Sequence, residues 1–225
     1  MRIVLTRETG HNEMLRQYLP DGADVTEVPL TYTRYRSVDE VEGELKRDPA
    51  FGTFQTLVVT SPRSEEYLEV VKSALSPDAQ VFSVGRSTTR SLVRHDFSVS
   101  GESSGTAGDL QLVVTLGPVL LLGADVARPE LPDALVKRGL RILHLACYET
   151  TPVELDESMR NSLTSADVVF IGAPSAWRAG QACIGQSAWV VVPGVTTADV
   201  VRAVHDRVIE GWDPSLRGIL ATLDD

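Results

Sequence analysis

Two short patterns carry the first chemical suggestion. Gly85-Arg86-Ser87-Thr88 closes the apolar run at 80–84, and Gly194-Val195-Thr196-Thr197 closes a similar run about 110 residues later. A glycine at the end of a strand permits a tight turn and a close backbone approach. A hydroxyl residue just after it can cap the next helix, whose first N–H groups lack intrahelical partners. Such amides bind anions. Each pattern follows a proline turn: Ser61-Pro62-Arg63-Ser64 precedes the first, and Ala173-Pro174-Ser175-Ala176 precedes the second. Two readings stand side by side, plain capping or capping combined with ligand binding. Recurrence of both turns in the same order raises the second reading to the level of the first.

The elements that must position these turns are short apolar runs separated by helical patterns. Strands are expected at 2–6, 24–30, 56–61, 80–85, 118–123, 141–149, 167–172 and 188–194. Helices are expected near 11–18, 38–47, 64–75, 87–94, 106–114, 130–138, 157–163, 175–182, 197–209 and 214–222. Val- and Leu-rich strands without alternation, each followed by a helix, indicate parallel sheets buried on both faces. The fold class is therefore α/β, doubly wound. The segment from Arg2 resembles the segment from Pro118, and the segment from Val58 resembles the one from Phe170. The order of these matches indicates an internal duplication of a small parallel α/β unit. In open sheets of this kind, ligands bind beyond the carboxyl ends of the strands, where both Gly-x-x-Thr turns fall.

Composition narrows the partners. The chain has 225 residues, 43% of them hydrophobic and 23% charged, as in an ordinary globular protein large enough for one or two cores. A formal net charge of −10 argues against nucleic acid and against an anionic membrane surface. It leaves room for a small anionic ligand, because distant charge is screened over about 8 Å. No apolar run is long enough for a membrane span, and the start has no signal-peptide pattern, so a cytoplasmic location is expected. Cys147 and Cys183 lack metal-ligand spacing and are read as free thiols. His11, His95, His144 and His205 form no metal spacing and are expected to be structural. Ser61-Pro62 lacks the Gly-x-Ser-x-Gly elbow of hydrolases. The stretch 101–110 is expected to be a flexible Gly/Ser loop and carries no Gly-Lys-Ser/Thr phosphate motif.

The ordered set VLTRE, VVTSPRS, SVGRSTTRSL, LLLGADVARPELPDALVKRGLRILHLACYET, FIGAPSAW and VPGVTTADVV resembles uroporphyrinogen-III synthase across nearly the whole chain. The YET at 148–150 together with the paired Gly-x-x-Thr turns is the most specific combination. The resemblance implies two similar parallel-sheet α/β lobes joined by a two-stranded connector. On this sequence the lobes would be 1–30 plus 153–225, and 37–145, with connector strands at 31–36 and 146–152. It also implies cyclisation of hydroxymethylbilane, a linear tetrapyrrole with eight carboxylate arms, with loss of water and inversion of the last ring. No metal or cofactor is implied. The substrate would be handed over from hydroxymethylbilane synthase, and the protein is expected to be a monomer. Because the bilane also closes unaided, positioning should outweigh any single side chain.

Residue by residue, the resemblance makes Tyr148 the catalytic candidate. Its phenol would hydrogen-bond the leaving hydroxyl of the first ring as an azafulvene forms. Arg7, Ser61, Ser64, Gly85, Thr88, Gly123, Ser175, Ala176, Gly194 and Thr197 are the substrate-binding candidates. Arg63, Arg86 and Arg178 lie near the same turns by position alone. This chain departs from the family pattern in four places. Leu122 stands where an arginine is usual, the loop before Arg128 is one residue longer, Gly172-Ala173 replaces Thr-Ser, and Pro193 precedes Gly194. Backbone donors survive these changes and side-chain donors do not. A non-catalytic synthase-like module that binds a tetrapyrrole or another polyanion is therefore the alternative function.

Overall fold

The computed structural model describes residues 1–103, 107–126 and 129–223. The chain divides into two compact units, Met1–Thr33 with Thr150–Asp225, and Arg34–Glu149. In chain order the strands are β1 (Arg2–Leu5), β2 (Asp24–Glu27), β3 (Thr31–Tyr35), β4 (Phe54–Val59), β5 (Leu75–Val84), β6 (Gly101–Ser103), β7 (Val119–Ala124), β8 (Ile142–Pro152), β9 (Val168–Phe170), β10 (Trp189–Val192) and β11 (Val208–Glu210). The helices are α1 (Glu13–Arg16), α2 (Val38–Arg47), α3 (Leu68–Lys72), α4 (Arg86–Arg94), α5 (Glu130–Lys137), α6 (Glu157–Thr164), α7 (Pro174–Gly180), α8 (Val195–Arg202) and α9 (Leu216–Ala221). Short 3-10 turns cover Pro62–Tyr67, Ala107–Leu112 and Gln181–Cys183.

One sheet has the order β11-β10-β9-β1-β2 and the other β3-β8-β7-β4-β5-β6. Leaving β3 aside, the two orders correspond strand for strand. β2, β1, β9, β10 and β11 take the places of β8, β7, β4, β5 and β6. The duplicated segments of the sequence thus occupy equivalent positions. All the pairings among these ten strands are parallel.

The reason for the continuous apolar runs is visible in β7. Leu120 and Leu122 enter one buried cluster, while Val119 and Leu121 enter another on the opposite face. β10 repeats this, with Val190 and Val192 on one face and Val191 on the other. Side chains alternate across a strand, so two buried faces require apolar residues at every position. Each fully buried Leu or Val side chain contributes about 1.5–3 kcal/mol over an exposed one.

Four expectations need correction. The helix expected over 197–209 ends at Arg202, where Val204 turns back to hydrogen-bond Val201 O at 3.1 Å, and β11 follows. Val208 and Ile209 pack toward opposite apolar clusters, which is strand behaviour too short for a periodicity to register. The stretch 101–110 is not simply a loop: Gly101–Ser103 pairs with β5 and Ala107–Leu112 is a 3-10 turn, while 104–106 lie outside the described residues. The helix expected over 64–75 opens as a 3-10 turn from Pro62 and ends at Lys72. The strand expected over 24–30 stops at Glu27, two residues before Pro29.

Candidate functional site

The four turns sit where strands end and helices begin. After β4, Ser61 is extended and its Oγ accepts a hydrogen bond from Arg63 N–H at 3.2 Å, with Pro62 opening the 3-10 turn. After β9, Ala173 adopts nearly the same extended conformation before Pro174, but has no hydroxyl with which to cap. Ser64 is fully buried and its N–H donates to Ser61 O at 3.2 Å. Ser175 is half-buried, and Ala176 places its methyl in the apolar cluster with Trp177. Any ligand contact by Ala176 is therefore through its backbone.

The Gly-x-x-Thr turns are alike in backbone. Thr88 N–H donates to Gly85 O at 3.0 Å, and Thr197 N–H donates to Gly194 O at 3.1 Å. Gly85 has φ 80°, a left-handed value that L side chains rarely adopt, and a Cβ there would meet open space. Gly194 is extended. The capping role considered for Thr88 is not what its hydroxyl does. It is fully buried and donates to Val84 O at 2.7 Å, and the helix cap is Gly85 with no side-chain bond. Both donors of Thr88 are thus committed, and the donors this turn can offer a ligand are the amides of Arg86 and Ser87 at the start of α4. Thr197 is buried, at 4% exposure.

Tyr148 is buried, at 6% exposure, and lies on β8, beside β7. The β7–β8 register runs Gly123↔Ala146 and then Ala124↔Tyr148, so Cys147 is skipped. Such a bulge re-aims side chains. As a result Cys147 and Tyr148, though consecutive, both reach the same apolar cluster. The displaced backbone is held from the other side. Arg36 N–H donates to Cys147 O at 2.9 Å, and Arg36 Nη1 donates to Ala146 O at 2.9 Å. The Tyr67 hydroxyl is shared between Arg36 O at 2.7 Å and Cys147 O at 2.9 Å, and its burial pushes its pKa up. Burial likewise pushes the Cys147 thiol up to about 12.

A cavity of about 380 Å³ opens at Tyr148, lined by Arg34, Tyr35, Arg36, Glu40, Asp125, Tyr148 and Glu149. The Tyr35 and Tyr148 rings are tilted at 48° with centroids 5.9 Å apart, and the Arg63 guanidinium stands 5.9 Å over the Tyr148 ring. Arg34 pairs with Glu149 at 2.5 Å and Arg36 with Glu44 at 2.8 Å. Glu40 accepts from Ser37 N–H and Oγ at 3.0 Å, and these bonds, the backbone one foremost, hold its carboxyl below the usual range. Among the described residues the lining thus carries three carboxylates against two guanidiniums, both of which are already paired. Sequence reasoning found Tyr148 and missed the other six. The available signal was the TYTRYR run at 31–36, whose polar alternation beside the YET segment marks a strand with one face open.

The remaining candidates have identifiable surroundings. Arg7 follows β1 and places its guanidinium over the Trp212 ring. Gly123 is buried on β7, and a Cβ there would stand 2.2 Å from Thr60 Oγ1. Arg86 and Arg178 are exposed, and Arg128 lies outside the described residues. The four histidines each have a neighbour of their own. His144 Nε2 meets Ala124 O at 2.8 Å, His205 Nε2 meets Ala188 O at 2.9 Å, His95 lies between Glu65 and Glu69, and His11 lies near Glu8. Cys147 and Cys183 are both free. Among the described residues no helix is long and apolar enough to cross a membrane.

Residues 13–210 match the family model described as uroporphyrinogen-III synthase HemD. A mutant uroporphyrinogen III synthase from Thermus thermophilus has a similar structure, with a TM-score of 0.71 at 16% identity, covering 100% of this chain and 97% of that one. The uroporphyrinogen-III synthetase of Helicobacter pylori 26695 superposes with a TM-score of 0.62 at 19% identity, with both chains covered completely. A further Thermus thermophilus structure gives a TM-score of 0.55 at 17% identity, covering 100% and 98%. At these identities the structural likeness carries the fold. No curated protein shows significant sequence similarity to the chain.

Proposed function

The chain belongs to the uroporphyrinogen-III synthase family, a family of lyases, and from that premise we propose how its own residues serve the cyclisation of hydroxymethylbilane to uroporphyrinogen III. The observation that carries the reading is the placement of Tyr148 by the β8 bulge at a cavity large enough for a pyrrole ring. Its O–H donates to the hydroxyl on the first ring as the C–O bond breaks. The hydroxyl leaves with that proton as water, and the pyrrole nitrogen lone pair supplies the electrons that form the azafulvenium cation. Its N–H proton returns to the Tyr148 phenolate to give the azafulvene and restore the phenol. General-acid help of this kind contributes about 10²–10⁴-fold.

Glu40, Asp125 and Glu149 in the cavity lining suit pyrrole N–H donors and the positive charge that develops as the hydroxyl leaves, with the Arg63 guanidinium standing over the Tyr148 ring. Carboxylate arms need donors that are not already committed, and Arg34 and Arg36 are both paired with glutamates. Those arms fall to the donor-rich turns: the amides after Gly85 and Gly194, the residues around Ser61, Ser64, Ser175 and Ala176, and the Arg7 guanidinium. Thr88 shapes its turn, since its hydroxyl and N–H are both committed, while Thr197 and Gly123 stand with the substrate-binding residues of this reading. A carboxylate at a helix start gains about 0.3–1 kcal/mol, which suits a net-acidic protein. Residues 31–36 and 146–152 act as the connector strands of this reading. We also place the protein in the cytoplasm as a monomer that receives its bilane from hydroxymethylbilane synthase. The two free thiols and the bilane's own tendency to close support this.

The test is a coupled assay. Porphobilinogen and its deaminase generate the bilane with this protein present, and the oxidised porphyrins are separated by isomer. Predominantly type III product is the expected result. Type I alone, from a folded sample, would return the non-catalytic tetrapyrrole-binding module, which the family match does not favour.

A further inference from the structure

Arg7, Gly172 and Trp212 come from three different strand ends of one sheet. Arg7 lies two residues past β1, Gly172 two past β9, and Trp212 two past β11. In the order β11-β10-β9-β1-β2, the indole and the guanidinium meet across the ends of the two intervening strands. The Arg7 Cζ stands 5.7 Å from the Trp212 ring centroid. Gly172 adjoins both: a Cβ there would make ordinary van der Waals contact, 3.4 Å from Arg7 Cγ and 3.6 Å from Trp212 Cη2, so side-chain atoms beyond Cβ would press on the pair.

The anchoring of Trp212 is unusual in one respect. Its Nε1 is buried and has no hydrogen-bond partner among the described residues. A tryptophan placed for its polar tip would have one. What fixes this ring is the apolar cluster of Ile3, Leu5, Phe170 and Leu216 against which it packs, together with Gly211 N–H donating to Val192 O at 2.9 Å just before it. The ring is thus held so that a face is offered to Arg7. An arginine side chain has many rotamers, and a planar aromatic surface selects among them by stacking and cation–π attraction.

We propose that Trp212 is a positioning residue for substrate binding: it holds the Arg7 guanidinium in the orientation that receives a carboxylate arm of the bilane. This rests on the reading of Arg7 as a hydrogen-bond donor to a substrate carboxylate. Trp212 does not touch the reacting atoms, so its effect falls on KM and leaves kcat alone. Gly172 is part of the same device, because a branched side chain there would occupy the space of the pair.

The test compares wild type, Trp212→Leu, Trp212→Phe, Arg7→Ala, Gly172→Thr and the Arg7→Ala/Trp212→Leu double variant on freshly generated bilane. Trp212→Leu is expected to raise KM roughly three- to tenfold with kcat unchanged. Trp212→Phe should retain most of the wild-type KM, because it keeps a ring face. The double variant should equal Arg7→Ala alone. If Trp212→Leu does not fold, Gly172→Thr carries the test, since its KM effect should vanish in an Arg7→Ala background. A raised KM in Arg7→Ala beside a normal KM in Trp212→Leu overturns this proposal alone. An additive double variant also overturns it. An unchanged KM in Arg7→Ala removes the binding role of Arg7 and the proposal with it.

Discussion

The backbone N–H of Asp125 donates to the carbonyl of Tyr148 at 2.8 Å, immediately past the break in the β7–β8 register. The bulge at Cys147 is therefore locked on both sides, and the Tyr148 ring is set by backbone geometry. Its hydroxyl is not needed to place it. Tyr148→Phe keeps the ring, its packing and the bulge. The variant should lose roughly 10²–10⁴-fold in turnover while its melting temperature stays within about 2 °C of wild type. Turnover assay and thermal melt together check this. Wild-type turnover would remove Tyr148 from the chemistry.

Cys147 sits under that bulge with no exposed surface, and burial raises its thiol from the ordinary value to about 12. The thiolate is the nucleophile, so the native protein should leave Cys147 unmodified at about pH 8 while half-buried Cys183 reacts. Iodoacetamide treatment followed by mass spectrometry should show one adduct on the native chain and two after denaturation. The sign for stability follows from the same shift. The unfolded thiol ionises first, so this contribution is complete below about pH 9 and lost as pH rises toward about 12. Equal labelling of both cysteines in the native protein would contradict the buried placement.

At the acid end the corresponding group is Asp48. Its carboxylate accepts from Arg141 Nη2 at 2.7 Å and from Ala50 N–H at 2.8 Å, and these bonds, the Arg141 one foremost, hold it below its ordinary value. A depressed carboxyl stabilises above the unfolded value of 3.8 and ceases to do so as pH falls through the folded one. Asp48→Asn should therefore lower the melting temperature at neutral pH and flatten the loss of stability below about pH 4. Melts from strongly acidic to neutral pH check it. Parallel curves for the variant and wild type would mean that Asp48 titrates alike in both states.

The fold was legible because two buried faces leave a plain signature: VLLL at 119–122 and VVV at 190–192 are short apolar runs, each closed by a glycine or proline, which read as interior strands. Both proline turns and both Gly-x-x-Thr turns were legible as punctuation. β6 and β11 were not, since GES and VIE are three residues long and owe their extension to β5 and β10 beside them. The cavity at Tyr148 was hidden for a different reason. It depends on a register shift at Cys147, and a bulge changes which side chains share a face without changing the residue types. The Arg7–Trp212 contact joins residues about 205 positions apart, beyond the reach of any local pattern.

Gly123 shows how a residue expected to bind substrate can have a steric duty first. A Cβ at this position would stand 2.2 Å from Thr60 Oγ1 but 3.5 Å from Thr60 Cβ, so only the hydroxyl is in the way. That hydroxyl donates to Leu122 O at 3.2 Å and has little freedom to rotate aside. Gly123→Ala should cost about 1–3 kcal/mol through overpacking. Thr60→Ala removes the obstructing oxygen. The Gly123→Ala/Thr60→Ala double variant should then be no less stable than Thr60→Ala alone, a coupling that two independent sites would not show. Chemical denaturation of the four proteins measures it. The KM of the double variant separates the two duties of Gly123: a wild-type value means the glycine serves only to admit Thr60, and a raised value in a fully folded protein means its backbone also meets the bilane.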